Sequence, residues 1–194
     1  MGTVLLFSVI GVCASALFPS ITSELGCSRQ NLINWKVHTL LTYAFLHGGL
    51  IHLITVGFSL LLSVYFFGNM LLRKEIWTLI AGSVVLGALL FCIPNKQPGT
   101  LVGGAMIAWG FAGSVLALAI MKWKSFNFLR RAYSIVIGLF TVPLVFTFLF
   151  DAMSFVQLSV AGTAFVAIYI RHRKARTPSH ADQAIDHESF PPTS

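Results

Sequence analysis

Residues 40–68 read LLTYAFLHGGLIHLITVGFSLLLSVYFFG. From residue 49 to 68 this stretch holds no Asp, Glu, Lys or Arg. Twenty helical residues rise about 30 Å, the thickness of a bilayer's hydrocarbon core. Backbone exposed to lipid must satisfy its own hydrogen bonds, so such a run is a helix. In front of it, residues 40–48 hold one histidine, His47, and one glycine, Gly48.

The same reading extends over the chain. It has 194 residues, 56% of them hydrophobic and 10% charged, with mean hydropathy +0.83. A soluble domain carries about 25% charged residues. Six candidate spans follow, at residues 4–18, 49–68, 76–93, 101–121, 132–150 and 152–170. The fold class expected is an all-α polytopic membrane protein with six transmembrane helices. The last two spans form a hairpin around Asp151, which reads as a helix cap. A signal peptide competes for the first span, because Ala14-Ser15-Ala16 resembles a cleavage site. No Lys or Arg precedes that span, which favours an uncleaved helix, and Gly11-Val12 before Cys13 makes a poor lipobox.

Charge orients the bundle. Arg73, Lys74, Lys122, Lys124, Arg130, Arg131, Arg171, Arg173, Lys174 and Arg176 fall on one side; Arg29, Lys36 and Lys96 fall on the other. Positive residues mark the cytoplasm, so both termini are expected inside, in a multi-pass protein of a bacterial inner membrane. The net charge of +7 is divided among short loops at membrane edges. That distribution suits anionic lipid headgroups and argues against nucleic acid as a partner. Cys13, Cys27 and Cys92 have no paired spacing, and neither a metal site nor a cofactor is expected. Residues 1–171 are expected to form the membrane domain and 172–194 a disordered cytoplasmic tail, polar and ending in Pro191-Pro192-Thr193-Ser194. No internal repeat supports an inverted-repeat transporter.

Residues 40–52 resemble the approach to the second membrane helix of rhomboid intramembrane serine proteases. There a Trp-Arg-Leu-Leu-Thr-type lead precedes His-x4-His-x3-Asn. His47 and His52 fill the histidine positions, and Val56 stands at the asparagine. The Trp-Arg position holds His38-Thr39, with Trp35-Lys36 three residues earlier. Residues 68–90, GNMLLRKEIWTLIAGSVVLGALL, resemble the family's basic loop and third helix. Pro98-Gly99 and residues 101–118, LVGGAMIAWGFAGSVLAL, resemble the turn and fourth helix. Ser154 and Gly162 carry what likeness the last span has. The likeness runs over residues 40–170 and implies a rhomboid-like six-helix bundle over residues 1–171.

It also implies a set of roles. In the family a serine at the start of helix four attacks the peptide carbonyl, and a histidine on helix six takes its proton. The second-helix histidine and asparagine steady the oxyanion. Aligning Val102-Gly103 with the Gly-x-Ser-Gly motif puts Ala105 at the nucleophile and Met106 at the following glycine. Aligning Gly162 with the helix-six glycine puts Ser159 at the base, and serine accepts no proton near neutral pH. No other frame supplies a base, because no histidine lies between His52 and His172. A serine without a base is a weak nucleophile. Ser114, the only serine in the fourth span, is nine residues past Ala105, about 13 Å along a helix.

The expected function is therefore that of a pseudoprotease: a non-catalytic adaptor binding transmembrane segments of client membrane proteins. An accessory structural subunit of a membrane complex is the alternative. An active serine protease with atypical residues ranks third, and a channel last, since few ionisable residues line the spans. Candidate cavity-lining residues are His47, His52, Gly103, Gly104 and Met106; the plainer reading of the two histidines is that they hold residues 19–45 in place. Gly103, Gly104, Ala108, Gly110, Ala112 and Gly113 read mainly as a small-residue packing face. Pro143 offers a kink in the fifth span, and Phe66, Phe67 and Trp77 read as interfacial anchors.

Overall fold

Short helices held by side chains lead into the bundle: α1 (Ser20–Leu25), α2 (Arg29–Ile33) and α3 (Thr39–Thr42). Ser28 caps α2 by accepting the Asn31 N–H at 3.1 Å. The buried Asn31 amide donates to the carbonyls of Ser23 and Gly26, both at 2.8 Å. Thr42 donates to the Leu25 carbonyl at 2.6 Å. A loop without long helices must find such partners for its backbone, and this one finds them in its own side chains.

Five long helices follow: α4 (Leu50–Phe67), α5 (Arg73–Cys92), α6 (Ala105–Lys122), α7 (Phe128–Thr147) and α8 (Ala152–Lys174). The computed structural model describes residues 6, 9–11, 13–14, 17–18, 20–92, 99–147 and 152–174. Among the described residues four stretches are long and apolar enough to cross a membrane: Leu50–Met70, Arg73–Cys92, Ala105–Ser125 and Met153–Arg173. Most of the expected first span, the turn at Asp151, Pro98 and the tail from residue 175 lie outside the described residues.

Helix starts differ from where the hydropathy begins. The fourth span was expected from residue 101, yet α6 starts at Ala105. Leu101 instead exchanges backbone hydrogen bonds with Cys27, at 2.7 and 3.1 Å, in an antiparallel bridge. Gly103 then turns with φ +103° and donates its N–H to Tyr43 at 2.8 Å. The helix at the expected fifth span starts earlier than expected, because Asn127 accepts the Arg130 N–H at 3.0 Å and opens α7 at Phe128. α7 runs through Pro143 to Thr147. α8 continues to Lys174, past the expected domain boundary at 171, and Arg171 and His172 on its last turns face Glu75.

α6 is the axis. About 61% of its apolar window is buried, against 33–39% in the other three membrane-length helices. It packs against α4, α5, α7 and α8. Small residues permit this. A Cβ on Gly113 would collide with the Ala161 carbonyl of α8, and one on Gly110 with the Ser83 hydroxyl of α5. Lipid offers no hydrophobic drive between helices, so such close approach supplies the packing. Outward side chains such as Ile51, Phe58, Tyr65 and Phe140 stay exposed, as lipid contact requires.

Candidate functional site

The start of α6 gathers most of the residues singled out above. Gly104 is its N-cap, and a Cβ there would lie 3.5 Å from Val56 and 3.8 Å from His47 Nε2. A Cβ on Gly103 would lie 2.6 Å from the His52 ring. The two imidazoles are neighbours, with centroids 5.3 Å apart and planes tilted by 59°. His47 is buried, and its Nδ1 lies 3.4 Å from the Phe45 carbonyl. Burial lowers its pKa, the Phe45 carbonyl opposes that, and His52 adds to it. His47, His52, Val56, Gly103, Gly104 and Ala105 thus share one corner at the head of α4 and α6.

Tyr43 holds this corner from below. Its side chain is fully buried and its hydroxyl donates to the Val84 carbonyl of α5 at 2.8 Å. Burial, then the two neighbouring thiols Cys27 and Cys92, push its pKa upward, so the phenol stays protonated and keeps donating. Its carbonyl receives the Gly103 N–H. One residue therefore fixes both the α5 wall and the turn into α6. No spacing rule reveals Tyr43 as a strut.

Beside the corner, a cavity of about 540 Å³ opens between α4 and α7, floored by α6. Val56 and Ala105 form its upper wall, Ala108, Trp109 and Ala112 its floor, and Phe58 and Phe140 stand at its lips. Tyr133 closes the inner end by hydrogen bonding Ser63 at 2.8 Å and the Ser59 carbonyl at 3.1 Å. Further in, Arg130 donates to the Phe66 carbonyl and to Asn69, at 2.8 and 3.1 Å. α4 and α7 are thus tied at the inner end, with an apolar gap above the ties.

Of the proposed lining residues, none borders this cavity: His47, His52, Gly103 and Gly104 sit at the corner next to it. Met106 points elsewhere. It is 2% exposed and packs on Gly87 of α5, within 2.6 Å of where a Cβ would be. One residue further along a helix rotates the side chain by about 100°, which takes Met106 off the Ala105 face. The small residues divide likewise. Gly110 and Gly113 serve packing, while Ala108 and Ala112 face the cavity. Sequence reasoning missed Thr55, Ser59, Trp109 and Tyr133; their positions on helix faces become visible only once the helices are paired.

Nothing nucleophilic stands at Ala105. Ser114 is buried and gives its hydroxyl to the Gly110 carbonyl at 2.9 Å. Ser159 lies off the corner. With Gly113 against Ala161, Ala105 is eight residues above the contact and Ser159 only two, so Ser159 is deeper by about 9 Å. Ser154, seven residues above Ala161 on the same face and buried, shares the depth of Ala105. Among the described residues no group of three His, Cys, Asp or Glu is placed to hold a metal.

Membrane-length helices packed by small residues around a central one define an integral membrane protein. The Rhomboid domain family matches residues 34–171, well over half of the chain, and the chain belongs to that family. No curated relative and no solved structure matches it.

Proposed function

We propose that this protein is a rhomboid pseudoprotease that binds transmembrane segments of other membrane proteins without cleaving them. The observation carrying this reading is Ala105: it opens α6 on the wall of the α4–α7 cavity and has no hydroxyl to attack a carbonyl. Losses at Val56 and at the helix-six base position point the same way. The cavity suits a helix. It is apolar, borders the lipid-facing side chains Phe58 and Phe140, and ends on the Ser59 and Tyr133 hydroxyls, which can meet an exposed polar group of an unstable helix. Adaptor work of this kind needs shape and depth rather than a reaction.

The test combines chemistry and capture. Protein reconstituted in lipid is treated with a fluorophosphonate probe and with helical substrates of active rhomboids; neither labelling nor cleavage is expected. A photo-crosslinking residue at Phe140 is expected to capture several membrane-spanning clients in native membranes. Labelling abolished by Ser114→Ala would overturn the reading in favour of an active protease. Capture of one partner at fixed stoichiometry would replace the adaptor with a structural subunit.

A further inference from the structure

Two cysteines that look unrelated in the sequence meet at the outer end of the bundle. Cys27 lies in the loop between α1 and α2, and Cys92 is the last residue of α5, 65 positions away. Their Sγ atoms are 3.2 Å apart, and both side chains are buried, at 0% and 2% exposure. The surroundings hold both in place. Cys27 exchanges two backbone hydrogen bonds with Leu101, Asn31 binds the adjacent Gly26 carbonyl, and Thr42 binds the Leu25 carbonyl. Leu101 in turn leads through Gly103 and Gly104 into α6.

We propose that Cys27 and Cys92 form a disulfide that staples the first loop to α5 and so fixes the turn into α6. Closing the pair needs a movement of about 1 Å. The asymmetry of basic residues supports the setting, because it puts this end on the non-cytoplasmic side, where disulfides persist. The oxidant is a disulfide-bearing oxidoreductase or a small-molecule disulfide. One cysteine thiolate attacks the oxidant's disulfide and expels one of its sulfurs as a thiolate. The second cysteine thiolate then attacks the mixed disulfide and releases the other oxidant sulfur. Two thiol protons go to solvent and two electrons reduce the oxidant. The hydrogen bond to Cys92, and then burial, raise the Cys27 thiol pKa. Once formed, the disulfide closes a long loop and restricts the unfolded chain.

Cys13 is the internal control, since it has no cysteine partner here. Full-length protein in native membranes is acid-quenched, denatured and alkylated with a maleimide, and its intact mass is measured. One adduct is expected before reduction and three after it, with a Cys27–Cys92 linked peptide in the non-reduced digest. Cys27→Ser and Cys92→Ser are each expected to show two adducts before reduction. Three adducts in the unreduced wild type, or a disulfide involving Cys13, overturns the proposal. In detergent, reduction is expected to lower the melting temperature by several degrees. An unchanged melting temperature overturns the stapling role.

Discussion

Gly103 occupies a conformation that few other residues tolerate. Its φ of +103° lies in the region that L side chains avoid, and a Cβ there would press on the His52 ring at 2.6 Å. Gly103→Ala is therefore expected to destabilise the protein by about 1–3 kcal/mol, read as a lowered melting temperature. Gly82, with nothing within 4 Å of its Cβ position, is the control, and Gly82→Ala is expected to leave melting unchanged or raise it slightly. His47 makes a different prediction, about pH. Burial holds its folded pKa below the ordinary 6.5. Between those two values the unfolded chain binds more protons than the folded one, so stability is complete above about pH 6.5 and falls as pH drops toward the folded value. Denaturant titrations at pH 7.5 and 5.5 are expected to show this loss in the wild type and a smaller one in His47→Gln. Equal losses would show that another group controls the acid response.

Between elements, register decides chemistry. Hydropathy finds the long helices, because lipid demands about 20 apolar residues whatever the fold. It cannot say which residues lie at one depth on two helices. The alignment through Gly162 assigns Ser159 to the base position, whereas the Gly113–Ala161 contact brings Ser154 level with Ala105. Gly162 itself has open space around its Cβ position and is exposed, so it marks no packing contact. The two registers predict different reconstructions. Ala105→Ser alone supplies a hydroxyl with no base on α8 and is expected to remain unlabelled by a fluorophosphonate. Adding Ser154→His places an imidazole at the same depth and is expected to raise labelling above background, by about tenfold or more if it acts as a general base. Adding Ser159→His is expected to leave labelling at background. Labelling of the Ser159→His pair alone would mean that α8 sits about one and a half turns from the register described.

At the scale of the whole molecule, composition and spacing are legible in the sequence and most contacts are not. The basic band is legible residue by residue, and so are His47 and His52 at their fixed spacing. Tyr43 to Val84, Cys27 to Cys92 and Met106 to Gly87 are not, because each joins segments whose separation in the chain carries no periodic signal. The same holds for the end of the bundle where α5 begins and α8 ends, where an acid is embedded among bases. Glu75 is the one acidic residue at that end among the described residues, beside Arg73, Lys74, Arg171 and Arg173. It is 4% exposed and accepts Arg171 Nε at 2.7 Å and the Leu72 N–H at 2.6 Å. A single carboxylate therefore caps α5, ties it to the far end of α8 and offsets the positive charge around it. Glu75→Gln keeps an acceptor but removes the charge, and is expected to lower stability by about 1–3 kcal/mol. Glu75→Ala removes the cap as well and is expected to lower it further. Thermal melting in one detergent at one salt concentration orders the three proteins; wild type and both variants melting together would mean that the start of α5 and the end of α8 are held by helix packing alone.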